Sequence, residues 1–354
     1  MHGIDTGSLG NLKDDVRLQI ALARGASFQG IRLVGPPHVH GISVEFGVHG
    51  DGLDAQLATG ANDTDGYLAA VGNQDFGDHE GPIVAEMEQY QALAIGGWPV
   101  RCFDRLDSTN RYLLELSAKD PIDRLVAVAR HQTAGRGRRG RVWADEPGKS
   151  LLFSLLIHPQ PGGGPVLPQG GGPGLHRYGQ ALALAVTDAC SAVGGFSATL
   201  KWPNDVLVSG RKLAGILVET ATTGRDTVVV AGCGLNLNWG GEVPPGFPAG
   251  EGSATRADHL PAVSADEVAG RTLDSEAMLT AVIKAFDVRV GHWDWIGDSY
   301  RARCSTIGSS VRVELPGESF SGVATDVDEE GHLLVTWENG DTRTLSSGDV
   351  VHLR

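Results

Sequence analysis

The chain has 354 residues, 41% of them hydrophobic, and a formal net charge of −14 at pH 7. That length allows two or three domains with at least one large core. The acidity argues against a protein that coats DNA or RNA, because such proteins draw most of their affinity from a basic surface.

The sequence lacks the usual signals for membranes and secretion. It has no run of about 18 apolar residues, so we expect no membrane span. The N-terminus lacks the basic start and apolar core of a secretory signal. The four cysteines lie far apart and form no CxxC pair, which indicates reduced thiols and argues against a structural zinc site. We therefore expect a cytoplasmic protein.

Residues 1–95 differ from the rest of the chain in composition. They carry 13 acidic residues against 4 Lys and Arg, and glycine recurs throughout. Their hydrophobic periodicity is weak, which predicts a small appended domain or a partly disordered extension. No pair of amphipathic helices with a basic second helix is present, so we expect no helix-turn-helix.

From Trp98 onward, short apolar runs typical of strands alternate with segments whose apolar residues have the spacing of a helix. The first part predicts a strand and then a helix whose start is capped within 107–109. Residues 199–221 predict a strand, a turn, a second strand, a hairpin turn at Ser209-Gly210 and a third strand. Further strands are expected over 124–131, 150–158 and 226–239, helices over 178–194 and 275–293, and a surface loop over the Gly/Pro-rich insert 159–174.

The last fifty residues differ again in pattern. Short alternating runs are separated by the turn sequences PGE, EEG and NGD. This spacing predicts a small antiparallel barrel.

The sequence GRGRRGRVW at 135–143, here called the arginine loop, holds four arginines and three glycines. Gly135, Gly137 and Gly140 allow backbone amides to converge on an anion, and arginine forks match phosphate or carboxylate. The alternative is a solvated basic loop or an RNA-binding tail. The position between two core-type strands favours an anion site, and the spacing of a P-loop is absent.

Lys212 begins an otherwise apolar strand within KWPNDVLVSGRKLAGILVE, residues 201–219. A lysine among small apolar side chains is costly to bury unless it meets an anion, although it can equally lie at the exposed hairpin end. Strict alternation places Gly215 and Glu219 on the opposite face from Lys212. Gly215 allows a ligand or another backbone to approach closely, or else marks a bulge.

Other polar positions are weaker signals. Asn204 and Asp205 are turn formers, or they present polar groups to a ligand or Mg²⁺. An ordinary helix cap explains DSTN at 107–110, and neither Gln132 nor GCGLN at 232–236 is specific alone.

Together these features describe cations beside neutral amides and hydroxyls. The sequence shows no nucleophile–base pair, no HExxH and no GxSxG. Chemistry that needs mainly charge neutralisation is acyl-adenylate formation, in which a carboxylate approaches the α-phosphate of ATP.

The motifs DSTN, QTAGRGRRGRVW, KWPNDVLVSGRKLAGILVE and GCGLN occur here in the order seen in biotin–protein ligases, and the chain resembles that family over roughly residues 100–300. The small C-terminal barrel also fits. The resemblance implies ATP-dependent biotinylation of a lysine on a biotin carboxyl carrier domain of an acyl-CoA carboxylase. The intermediate would be biotinyl-5′-AMP, with Mg²⁺ as activator and no tightly bound prosthetic group.

The resemblance also implies roles for individual residues. Lys212, Arg138 and Asp205 would be catalytic, with Asp205 as the candidate Mg²⁺ ligand. The implied biotin-binding residues are Ser108, Thr109, Asn110, Gln132, Gly135, Arg136, Gly137, Arg138, Lys212 and Gly215. The implied ATP- and adenylate-binding residues are Arg136, Arg138, Arg139, Trp143, Lys201, Asn204, Asn236 and Phe247.

The fold implied by the resemblance is α+β. Residues 96–303 would form a catalytic domain like that of class II aminoacyl-tRNA synthetases, with a mixed sheet and flanking helices. Residues 304–354 would form an SH3-like β-barrel, and 1–95 an extension of unknown role. A monomer or weak homodimer without DNA or membrane partners is expected.

Three rival interpretations remain at this point. A bifunctional ligase and repressor would need an N-terminal winged helix, which 1–95 does not show. A lipoate or octanoate ligase shares the related fold, but the paired motifs favour biotin. A binding protein without activity is disfavoured, because every charged motif position is filled.

Overall fold

The computed structural model describes residues 90–119, 122, 124–159, 174–223, 226–245, 260–315 and 317–353. The predictions made for residues 1–89, for most of the 159–174 insert and for Phe247 lie outside the described residues. Each element predicted within the described ranges is present.

An eight-stranded mixed sheet, here called the large sheet, forms the centre of the fold. Its strand order is β1-β2-β3-β4-β8-β7-β6-β5. Strands β2 and β3 are parallel, and every other neighbouring pair is antiparallel. The strands are β1 Gln91–Ile95, β2 Trp98–Phe103, β3 Arg124–Ala129, β4 Ser150–Ile157, β5 Thr199–Lys201, β6 Asp205–Val208, β7 Arg211–Thr223 and β8 Asp226–Asn236.

Helices cover both faces of the large sheet because its strands alternate apolar side chains between two cores. Leu125 and Ala127 pack with the first helix, whereas Val126 packs with the longer helices on the other face. The helices are α1 Thr109–Ser117, α2 Gly174–Ala189, α3 Ala265–Ala269, α4 Ser275–Val290 and α5 Ile296–Arg303. No helix of the described ranges has the length and hydropathy to cross a membrane. All four cysteines are free thiols.

The hairpin between β6 and β7 turns at Ser209 and Gly210, both with positive φ. After the turn, β7 does not alternate strictly. Its pairing with β6 shifts between Lys212 and Ala214, so Leu213 is an extra residue in a β-bulge. The bulge brings Lys212 Nζ within 3.5 Å of the position that a Cβ on Gly215 would take. The prediction that Lys212 and Gly215 face opposite sides was wrong, because alternation holds only along an uninterrupted ladder.

A separate five-stranded antiparallel sheet, here called the C-terminal sheet, has the order β12-β11-β10-β9-β13. It is anchored to β5: Ser305 N donates to Leu200 O at 2.8 Å, and Trp202 N donates to Thr306 Oγ1 at 3.0 Å. The strands are β9 Ser310–Leu315, β10 Glu318–Val327, β11 Leu333–Thr336, β12 Thr342–Leu345 and β13 Asp349–His352.

His176 of α2 lies where that helix meets the C-terminal sheet, with its ring centre 5.8 Å from that of His332. Burial lowers the pKa of His176 to about 4, and the charges of His332 and Arg138 act in the same direction. The folded protein therefore holds this ring neutral at pH values where the unfolded chain binds a proton.

Folding stability should depend on this histidine. The unfolded chain binds more protons between about pH 6.5 and pH 4, so the stability from the neutral ring is present above that window and is lost as pH falls through it. As the pH falls through this window, wild type should lose up to about 3 kcal/mol more of its free energy of unfolding than His176→Gln does. Urea unfolding at a series of pH values measures this difference. Parallel losses in wild type and variant would show that His176 is not the group responsible.

Candidate active site

A cavity of about 410 Å³ opens beside β5–β8, the start of α1, the arginine loop and β13. It gathers most of the residues that the sequence singled out. The predicted residues that line it are Ser108, Thr109, Asn110, Gln132, Arg136, Gly137, Arg138, Trp143, Lys201, Asn204, Asp205, Lys212, Gly215 and Asn236.

One end of the cavity is a neutral cluster of hydroxyls and amides. Ser108, Thr109 and Asn110 are all buried at the start of α1. Gln132 Oε1 accepts hydrogen bonds from Thr109 N at 2.8 Å and from Thr109 Oγ1 at 3.1 Å. Ser108 is the N-cap residue of α1, but its side chain makes no capping hydrogen bond. Ser154, which the sequence analysis missed, lies 2.7 Å from Thr109 Oγ1; its signal was a polar residue inside the apolar strand β4.

The Asn110 amide is held in one orientation. Its Nδ2 donates to Glu219 Oε2 at 2.8 Å and to Leu217 O at 3.3 Å. A Cβ on Gly232 would lie 2.0 Å from Asn110 Oδ1, so only glycine fits there. Glu219 also pairs with Arg136 at 3.0 Å and so ties the arginine loop to this cluster. Nothing in the sequence pattern pointed to the Glu219 carboxylate beyond its place at the end of a motif.

The other end of the cavity is cationic. Over the whole lining, five residues are Lys or Arg and two are Asp, an excess of three positive charges in a protein of net charge −14. Of these five, Arg136 pairs with Glu219 beside the neutral cluster. Lys212 Nζ lies 2.7 Å from Asp205 Oδ1, with the two side chains 30% and 15% exposed. Burial opposes ionisation of Asp205, but the charges of Lys212, Lys201 and Arg138 outweigh it and keep the pKa of that carboxyl below its ordinary value. Asp205 is therefore ionised at neutral pH.

Two further cations face this end at a cost in desolvation. Burial lowers the pKa of Lys201, and the charge of Asp205 opposes that effect. Burial also lowers the pKa of Arg138, against the attraction of Asp349 and Asp205. Arg138 additionally donates to Asn204 Oδ1 at 3.4 Å. Such cations are stabilised further when an anion enters.

The indole of Trp143 lies against paired glycines of β7 and β8. Gly215 and Gly234 are register partners, and a Cβ on them would lie 2.8 Å and 2.4 Å from the ring. Lys212 Nζ is 5.5 Å from a ring centroid of Trp143, within the range of cation–π attraction. Close approach therefore explains Gly215, and the bulge lies at Leu213 instead.

Two predicted site residues are not among those lining the cavity. Gly135 allows the two ends of the arginine loop to approach closely, because a Cβ there would lie 2.5 Å from Trp143 O. Arg139 points to Asp349 of β13, with Nη1 3.0 Å from Oδ2. Arg139 thus contacts the C-terminal sheet, and its contact with the adenylate stays a prediction. The sequence missed Asp349 because it is remote from every motif along the chain.

Two amides complete the lining. Asn204 Nδ2 donates to Ile216 O at 2.9 Å. Asn236 Nδ2 donates to Lys212 O at 3.2 Å and to Val263 O at 3.1 Å. The buried Oδ1 of Asn236 has no hydrogen-bond partner among the described residues, so it is an acceptor that a ligand or cation can use.

Comparison with known proteins matches both parts of the chain. Residues 102–236 match the model of the biotin/lipoate A/B protein ligase family, and residues 306–353 match that of the biotin protein ligase C-terminal domain. The biotin–[acetyl-CoA-carboxylase] ligase of Mycobacterium tuberculosis is 37% identical over 257 residues, 70% of this chain and 86% of that protein. The enzyme of the same name from Paracoccus denitrificans is 32% identical over 65% of this chain and 91% of its own length.

Among solved structures, the biotin protein ligase from Aquifex aeolicus in complex with biotin and ATP superposes with a TM-score of 0.56. That match is 24% identical and covers 72% of this chain and 98% of the other. The shared fold is a mixed sheet with helices followed by an all-β domain. Most residues that line the cavity fall within 102–236 or 306–353. The chain belongs to the biotin protein ligase family.

Proposed function

We propose that the chain catalyses ATP-dependent attachment of biotin to a lysine on a biotin carboxyl carrier domain of acetyl-CoA carboxylase. The reaction passes through biotinyl-5′-AMP. The observation that carries this proposal is one cavity that joins a neutral amide and hydroxyl cluster to an excess of Lys and Arg side chains over Asp.

The neutral cluster suits the ureido ring of biotin, which is polar and uncharged. Gln132 and Asn110 provide amide groups, and Thr109 and Ser108 provide hydroxyls in a buried setting. A ligand that hydrogen-bonds with each of these groups binds more tightly than one that leaves them buried and unpaired. The biotin carboxylate would then point toward Lys212.

The cationic end suits the two anions that must meet. A biotin carboxylate oxygen forms a bond to the α-phosphorus of ATP while the bond to pyrophosphate breaks, and pyrophosphate leaves with the electron pair. Lys212, Lys201 and Arg138 lower the repulsion between these anions and stabilise the charge of the transition state. Asp205 orients Lys212 through their ion pair.

In the second step the ε-amine of the carrier lysine attacks the acyl carbon. An amide bond forms, the acyl–phosphate bond breaks, AMP leaves and the amine loses a proton. Neither step needs a protein nucleophile. Exclusion of water matters because the mixed anhydride hydrolyses, and the arginine loop lies over the cavity where it can exclude water.

ATP would enter as its magnesium complex. The chain offers Asn236 Oδ1 and the Asp205 carboxylate as oxygen ligands, and Asp205 is already paired with Lys212. These two groups would hold the ion together with the nucleotide, and the ion would neutralise negative charge on the departing pyrophosphate.

The finer architecture is also part of the proposal. We take the large sheet with its helices as a class II synthetase-like catalytic domain over 96–303, and the C-terminal sheet as an SH3-like barrel over 304–354. Strand β1, which begins at Gln91, pairs with β2 at one edge of the large sheet. A monomer or weak homodimer acting in the cytoplasm remains our expectation.

Lys212→Ala should abolish most of the activity. With radiolabelled biotin, ATP, Mg²⁺ and a purified carrier domain, we expect label transfer to fall at least about 100-fold, because the cation between the two anions is removed. Lys284→Ala, an exposed lysine of α4 outside the cavity, is the matched control and should transfer label like wild type. Equal transfer by both variants would refute the role of Lys212. No transfer by folded wild type would refute the ligase, and lipoate would be tested next.

Gly234→Ala should weaken biotin binding. The new Cβ would lie 2.4 Å from Trp143 and must displace the indole that adjoins Lys212. We expect at least about tenfold lower affinity for biotin by titration calorimetry. The control is Gly297→Ala on α5, where the nearest atom is 3.6 Å away in a flexible arginine. Unchanged affinity in Gly234→Ala would show that Trp143 does not shape the biotin site.

A further inference from the structure

One carboxylate of the C-terminal sheet forms ion pairs with two arginines of the arginine loop. Asp349 Oδ2 accepts from Arg139 Nη1 at 3.0 Å and forms an ion pair with Arg141 Nη2. The Asp349 side chain is 19% exposed and lines the cavity. The pairing joins segments 210 residues apart in the sequence.

The loop backbone is shaped for this contact. Arg139 has φ 55° and ψ 38°, and Gly140 follows with φ 73°. A left-handed conformation is unfavourable for a residue with a Cβ, so the surrounding contacts must hold it in place. The ion pairs with Asp349 supply such a contact, and they direct Arg139 away from the cavity.

Asp349 is itself held in a fixed position relative to the cation cluster. Trp202, between β5 and Asp205, donates from N to Thr306 Oγ1 at 3.0 Å and from Nε1 to Gly331 O at 2.9 Å. His352, on the same strand as Asp349, lies 3.1 Å from Thr306 Oγ1. The C-terminal sheet is therefore anchored beside the residues that lead into Asp205.

We infer that Asp349 is a positioning residue that holds the arginine loop closed over the cavity by binding Arg139 and Arg141. This inference rests on the proposed function. Arg138 and Lys201 then face the anionic substrate. The contacts of Arg139 and Arg141 with Asp349, here called the latch, hold the loop in place. The C-terminal sheet thereby sets how long biotinyl-5′-AMP stays in the cavity before the carrier lysine arrives.

The test measures the lifetime of the bound intermediate in the full chain. Enzyme is loaded with biotin and radiolabelled ATP, freed of excess substrate, and followed for release of biotinyl-5′-AMP. Asp349→Asn keeps the shape and removes the charge, and Arg139→Gln/Arg141→Gln removes the partners. We expect each to speed release about tenfold and the triple variant to release no faster than either, since one interaction is lost in all three.

Glu318→Gln is the matched control. Glu318 belongs to the same sheet and pairs with Arg343 at 2.5 Å, but it does not line the cavity. It should retain the intermediate as wild type does. A second readout is trypsin cleavage within 135–143, which should be faster in Asp349→Asn than in Glu318→Gln.

The outcomes separate the two claims. Wild-type release rates in Asp349→Asn, or additive effects in the triple variant, would overturn the latch. A lower melting temperature with an unchanged release rate would assign Asp349 a purely structural role and also overturn it. If wild type forms no adenylate, the proposed function fails, and the trypsin comparison alone decides whether Asp349 closes the loop.

Discussion

The ion pair between Lys212 and Asp205 is the interaction on which the arrangement of the cavity depends. A buried ion pair contributes little net stability, because desolvation offsets the attraction, yet removal of one partner leaves a costly unpaired charge. Asp205 is nevertheless ionised beside three cations. Stability alone does not explain why the fold gathers Lys212, Lys201 and Arg138 around one carboxylate. An anionic substrate does, since it supplies the negative charge that the cluster lacks.

The polarity of the cavity decides how a ligand can lie in it. Its neutral end is made by the start of α1 and Gln132, and its cationic end by β5–β7 and the arginine loop. A molecule with an uncharged polar ring and a carboxylate at the end of a chain fits in only one direction. The bulge at Leu213 makes this geometry possible by turning Lys212 to the same side as Gly215 and the Trp143 indole.

Most of the site could be predicted from the sequence because its residues lie in compact motifs. DSTN and the arginine loop each bring several cavity residues within a few positions, and their chemistry was legible without the fold. The side of the sheet on which Lys212 lies could not be predicted, because a one-residue bulge reverses the alternation on which that prediction rested. Ser154 and Glu219 act through hydrogen bonds to Asn110, and such contacts depend on how strands are ordered in the sheet. Asp349 reaches the loop only through the docking of a second sheet, which no local pattern encodes.

The central claim is that this cavity activates a carboxylate by adenylation, and pyrophosphate exchange tests it without any carrier protein. The purified chain would be incubated with ATP, Mg²⁺ and labelled pyrophosphate, and label entering ATP would be measured with and without biotin. The account predicts exchange that depends on biotin and is not supported by lipoate. Release of ADP and phosphate, or exchange that is indifferent to biotin, would contradict it.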